Sequence, residues 1–171
     1  MGLSRFSQIL SRMASSHIAT VTDLVGCSEI EIAALEVKYQ IQLPHTYKKY
    51  LQIMGHRSGR LFTFDHMAVF YSYVLGMTGD LRQEWLAENV PPEKFSLPAD
   101  ALIISGRLGE QFEFIRCTGG EDSPIWYFNT WEWNIRESQS SVITWLALWC
   151  GESEKAVASG YFEQNPNGTT P

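Results

Sequence analysis

Residues 110–137 carry six carboxylates and two arginines, and the same stretch holds Trp126, Tyr127, Trp131 and Trp133. Carboxylates fixed in pairs do general acid–base work, one giving a proton while the other takes it. Without a fixed separation they make either a solvated face or, where large aromatics stand among them, a desolvated anchor ringed by charge. Spacing alone leaves both of the latter readings open for Glu110, Glu113, Glu121, Asp122 and Glu132. In TWEWN (130–134), Trp131 and Trp133 share one side of an extended chain and Glu132 takes the other, so the segment is hard to assign wholly to a core. The candidate set for contact with a basic protein partner is therefore Glu110, Glu113, Glu121, Asp122, Trp131, Glu132 and Trp133.

Other chemistries find no matching pattern. The four histidines, His17, His45, His56 and His66, form neither HExxH nor HxH. His56 and His66 flank an expected strand, but separate surface positions are the favoured reading. GRLGEQF lacks the GK[ST] of a phosphate-cradling loop and reads as a hairpin turn. No GxSxG nucleophile elbow is present, and Cys117 reads as a core residue near a strand end. The three cysteines have no CxxC spacing and an odd count, as for reduced, buried thiols. The expectation is no catalytic residue, no metal, no cofactor and no small-molecule ligand. A net charge of −6, from 13 basic and 19 acidic side chains, argues against direct nucleic-acid binding, which needs lysine and arginine to release counterions. No apolar run approaches the ~18 residues of a membrane span, and a cytoplasmic location is expected.

These residues need elements to hold them. The spacing predicts a helix over 28–40, opened by the capping box Ser28-x-x-Glu31, and another over 44–54 behind Leu43-Pro44. In the second, Tyr47, Tyr50, Leu51 and Met54 make the buried stripe, Lys48 and Lys49 face water, and Gly55 supplies a left-handed cap. Alternation predicts strands at 60–64, 101–105, 111–117 and 123–130, with a further β-like run at 69–75. Asp80 with Gln83 is read as the cap of a helix over Leu81, Trp85 and Leu86, and Val142, Trp145, Leu146 and Trp149 as a closing helix over 141–150 that stops at Gly151. Strands joined by loops this short pair antiparallel. Helices first, strands in the middle and a helix last make an α+β domain with a mainly antiparallel central sheet. At the N-terminus, Leu3, Phe6, Leu10 and Met13 share a helical face that can pack on the domain. The stretch is free of acids, so a transit peptide is the alternative.

The segment IEIAALEVKYQIQLPHTYKKYLQIMGHRSGRLF (30–62) resembles the signature of the SUKH superfamily, the Smi/Knr-type domain. That signature is an E…LE helix, a short LP joint and a Y..YL…G helix leading to the first strand. Leu35, Glu36, Leu43, Pro44, Tyr47, Tyr50, Leu51 and Gly55 carry it here. The later hairpin, PIWYFNT and SSVITWLALW follow in the family's order, so the resemblance covers about residues 25–150. Departures are a longer insert at 65–97 and Ser141-Val142 where the family has Ser-Phe. The resemblance implies helices packed around a central sheet and no catalytic residues. Bacterial members resemble immunity proteins that bind and neutralise a toxin, often a nuclease, while fungal relatives are regulatory scaffolds of cell-wall synthesis. The expected function is therefore neutralisation of a basic protein toxin by binding, with a scaffold as the alternative and a hydrolase behind both. The expected division is an N-terminal helical extension (1–24), one domain (25–155) and a tail (156–171).

Overall fold

The computed structural model describes residues 2–166, with side chains from Arg5 onward. Ser28 opens α2 (Glu29–Tyr39). Its Oγ accepts from Glu31 N at 3.3 Å, and the Glu31 carboxylate accepts from Ser28 N at 2.8 Å, the reciprocal pair that S-x-x-E predicts. The helix closes on Gln40 in the left-handed region (φ 54). After Leu43-Pro44 comes α3 (His45–Met54), whose Tyr47, Tyr50, Leu51 and Met54 are all fully buried, as the helical stripe requires. The two lysines are half-buried rather than free in water. Lys48 Nζ stands 2.9 Å from Glu36 Oε1, which also accepts from Leu43 N at 2.8 Å. Glu36 thus ties the end of α2, the joint and α3 together. Gly55 is not a left-handed cap, since its φ is −65. Glycine is needed there because a Cβ would lie 2.5 Å from Cys27 Sγ and 2.7 Å from Leu51 O.

A five-stranded antiparallel sheet runs in the order β3 (Met67–Ala68), β4 (Ala101–Arg107), β5 (Gln111–Arg116), β6 (Ile125–Asn129) and β7 (Arg136–Gln139). A second pair, β1 (Leu24–Val25) with β2 (Arg57–Ser58), is also antiparallel. The fold is α+β, as the succession of periods predicts. Ala101 through Gly106 are buried because β4 is covered on both faces. On one face Leu102, Ile104, Ile115 and Ile125 join α3 and the closing helix α5 (Val142–Ala158) in the larger core. On the other, Ile103, Phe112, Phe114 and Phe128 pack under Trp85 of α4 (Tyr71–Ala87) and under Phe95 and Leu97 of the loop that follows it. The strand register places Ser105, Glu113 and Tyr127 side by side across β4, β5 and β6, after a bulge between Ile103 and Ser105.

Several expectations are corrected. Residues 60–64 form a turn rather than a strand. Ser58 Oγ bonds to Leu61 O at 2.9 Å, and Phe62, at φ 68, drives its ring into the core 5.1 Å from Trp145. The β-like run at 69–75 is mostly the start of α4, because Tyr71, Val74, Thr78 and Trp85 recur on one buried helical face and packing overrides β propensity. Asp80 accordingly lies inside that helix and caps nothing. Gly151 does not stop α5, which runs to Ala158. Arg12 of α1 (Gly2–Ser15) grips Glu154 through two bonds of 2.7 Å each and lashes the added turns to the N-terminal helix. Phe6 and Met13 are buried and Leu10 partly so, while the Leu3 side chain lies outside the described residues. Within the tail, residues 161–164 form α6 (Tyr161–Gln164) and bury Phe162; residues 167–171 lie outside the described ones. The three cysteines are free and buried. Among the described residues no helix is long and apolar enough to cross a membrane.

Candidate partner-binding end of the sheet

Two neighbouring turns form one end of the sheet. Leu108, Gly109 and Glu110 join β4 to β5, the first two at positive φ (55 and 72). Paired positive φ values characterise the tight turns that match strand twist, and they favour Asn, Asp or Gly. A leucine there carries a cost of about 1–3 kcal/mol, yet its side chain is 62 % exposed. The next turn, after β6, is fixed to the first by Thr130 N donating to Glu110 O at 3.0 Å. Within it, Asn129 Oδ1 accepts from Glu132 N at 2.7 Å, and Trp133 N bonds to Asn129 O. Trp131, at 56 % exposure, projects from this turn. Glu110 and Glu132 are exposed beside the two apolar side chains. A groove of about 650 Å³ continues from Leu108 and Gly109 to Asp80, Leu81 and Glu84 on α4.

The other expected site residues sit elsewhere. TWEWN is a turn and not an extended strand, so Trp131 and Trp133 part company. Trp133 is half-buried, its ring 5.2 Å from Phe95 and 5.9 Å from Trp85, with Lys94 Nζ over its face. Glu113 lies under α5 rather than on the surface. Its Oε2 accepts from Trp145 Nε1 at 2.7 Å and Ser105 Oγ at 2.9 Å, and its Oε1 from Ser138 Oγ at 3.3 Å. Burial holds its carboxyl above the usual range even though these donors favour the anion. It borders a cavity of about 280 Å³ shared with Asp65, Arg107, Gln111, Tyr127 and Trp149. Two donors of residues lining it, Arg107 Nε and Trp149 Nε1, are buried without a partner.

Glu121 and Asp122 stand at the opposite end of the sheet, in the loop after β5. Glu121 is exposed and meets His45 Nδ1 at 3.2 Å, and its backbone oxygen accepts from Thr46 N at 3.0 Å. Asp122 Oδ1 accepts from Val142 N at 2.9 Å and from Ser123 N at 2.8 Å, so it caps the first turn of α5. Of the seven residues, then, Glu110, Trp131 and Glu132 come together. Glu113 and Trp133 pack inward, and Glu121 with Asp122 braces helices. Sequence reasoning missed Leu108, Asp80 and Glu84 at the site. Leucine in the expected hairpin turn was the available signal for the first; the acids of α4 gave none until the groove formed.

Burial pushes the Cys117 thiol up to about 12 and Cys150 to about 11, so neither is a ready nucleophile. The domain is an antiparallel sheet covered by helices, two of them locked together by the Glu36–Leu43–Lys48 joint. The SMI1 / KNR4 family (SUKH-1) profile matches residues 26–148, and the chain belongs to that family. No curated protein matches the chain.

Proposed function

We propose that this chain is a non-catalytic immunity module that occludes a basic protein toxin with the hairpin end of its sheet. The carrying observation is the pair of exposed apolar side chains, Leu108 and Trp131, on adjoining turns among Glu110 and Glu132. Leu108 holds a strained backbone and buries little in return, which fits a residue kept for contact. Tryptophan and leucine supply the area that slows dissociation, and the carboxylates supply the field that speeds encounter with a cationic partner. The acids of the α4 groove extend that field. On this reading the protein acts in the cytoplasm, where an arriving toxin is caught before it reaches its target.

The test is capture from the producing strain, with the captured protein then expressed alone. The expected partner is basic, arrests growth by itself, and is neutralised by this chain. With the purified pair, Glu110→Lys with Glu132→Lys should slow association most at low salt, since exposed charges are screened over roughly 8–10 Å near 0.1–0.15 M. Trp131→Ala should mainly speed dissociation. An acidic partner, or rates unmoved by either change, overturns the assignment. A partner that is harmless alone and belongs to envelope synthesis instead selects the scaffold function.

A further inference from the structure

We propose that Cys27, Glu31 and His56 form a binding site for a thiophilic divalent metal ion of the Zn²⁺ type. The Cys27 thiol, a Glu31 carboxylate oxygen and a His56 ring nitrogen all lie within 4.8 Å of one another. Zinc bonds to sulfur at ~2.3 Å and to nitrogen or oxygen at ~2.0–2.2 Å, so neighbouring ligand atoms in a tetrahedral site stand ~3.3–3.8 Å apart. His56 Nε2 is already 2.9 Å from Glu31 Oε1. Closing the set therefore takes side-chain movements on the order of 1 Å.

The backbone beneath the three groups is pinned. Cys27 N donates to Leu51 O at 2.8 Å and His56 N to Val25 O at 2.9 Å. Glu31 spends Oε2 on the capping box with Ser28 and presents Oε1 to the imidazole. The His56 ring stands edge-on to Tyr71, 5.4 Å between centroids, and Tyr71 Oη donates to Glu31 O at 2.8 Å. Cys27 is buried, while Glu31 and His56 are half-exposed and leave an entry from solvent. A thiolate, an imidazole and a carboxylate suit zinc and its neighbours and not Mg²⁺ or Ca²⁺, which take all-oxygen shells. On binding, the thiol releases one proton to solvent as the metal–sulfur bond forms. Three protein ligands leave one tetrahedral position for water or a partner's side chain. The bound ion clamps the start of α2 to the end of α3, across the joint that Glu36 braces from the other side.

The experiment uses untagged full-length protein freed of metal with chelator. Co²⁺ is the optical probe and Zn²⁺ the calorimetric one. A sulfur-to-cobalt charge-transfer band saturating at one ion per chain is expected, with Zn²⁺ displacing the cobalt. Cys27→Ser and His56→Ala should each weaken Zn²⁺ binding at least ~100-fold, while Cys117→Ser leaves both readouts unchanged. Glu31→Gln keeps the capping box and should weaken binding ~10-fold without lowering the metal-free melting temperature, so it decides the matter if a Cys27 variant fails to fold. Absence of the band in the wild type, its survival in Cys27→Ser, or unchanged Zn²⁺ affinity in His56→Ala or Glu31→Gln overturns the site.

Discussion

Replacing Glu113 by alanine removes one acceptor that three donors share. Trp145 Nε1, Ser105 Oγ and Ser138 Oγ reach the carboxylate at 2.7, 2.9 and 3.3 Å. Trp145 is fully buried, so its N–H loses its partner and gains no water, at about 1–3 kcal/mol. The two hydroxyls can rotate toward other acceptors and add up to about 1 kcal/mol between them. The expected loss is roughly 1–4 kcal/mol, or a melting temperature lower by roughly 2–16 °C for a chain of this size. Glutamine behaves differently. Its amide oxygen can accept from Trp145 and Ser105, and its amide nitrogen can donate to Ser138 Oγ. Burial raises the Glu113 pKa in the folded state, so folding favours the neutral acid. The penalty for ionising it is absent below the unfolded value of 4.5 and complete once pH passes the raised folded value. The site's contribution to stability therefore falls as pH rises out of the acid range, and Glu113→Gln abolishes that fall. Near neutral pH, Glu113→Gln is expected at or slightly above wild-type stability. Urea unfolding followed by tryptophan fluorescence, at about pH 5 and about pH 7.5, measures all three proteins. Alanine within about 0.5 kcal/mol of wild type, or glutamine as damaging as alanine, refutes the reasoning.

Leu51→Ala should cost roughly 2–5 kcal/mol in urea melts, because Leu51 is fully buried under the joint; Lys49→Ala, on the half-buried back of the same helix, should change stability by under about 0.5 kcal/mol. Asp122→Ala should cost about 0.5–2 kcal/mol by freeing Val142 N at the start of α5, and Asp122→Asn should restore most of it, read by thermal melting with circular dichroism.

The joint was legible from residue order because its determinants are local. A capping box needs two residues three apart, a helix break needs Leu43-Pro44, and the stripe Tyr47, Tyr50, Leu51, Met54 is a period that any α-helix turns into a face. The three central strands were legible for the same local reason: β5 alternates over its first residues, and β4 and β6 are short apolar runs bounded by turn residues. Where partners distant in sequence decide the outcome, local signals misled. Residues 71–75 read as strand by composition but join a helix whose buried face runs from the larger core at Tyr71 and Val74 to the second core at Trp85. Gly151 reads as a stop, but Arg12 holds Glu154 from the other end of the chain. The site shows the same division. Composition between residues 110 and 137 showed acids and tryptophans, and nothing in that composition says which of them share a surface. Strand register brought Glu110 beside Thr130 and left Trp131 in the open, while it placed Glu113 under Trp145. Cys27, Glu31 and His56 belong to no sequence motif, and only the packing of α2 against α3 sets them within one ion's reach.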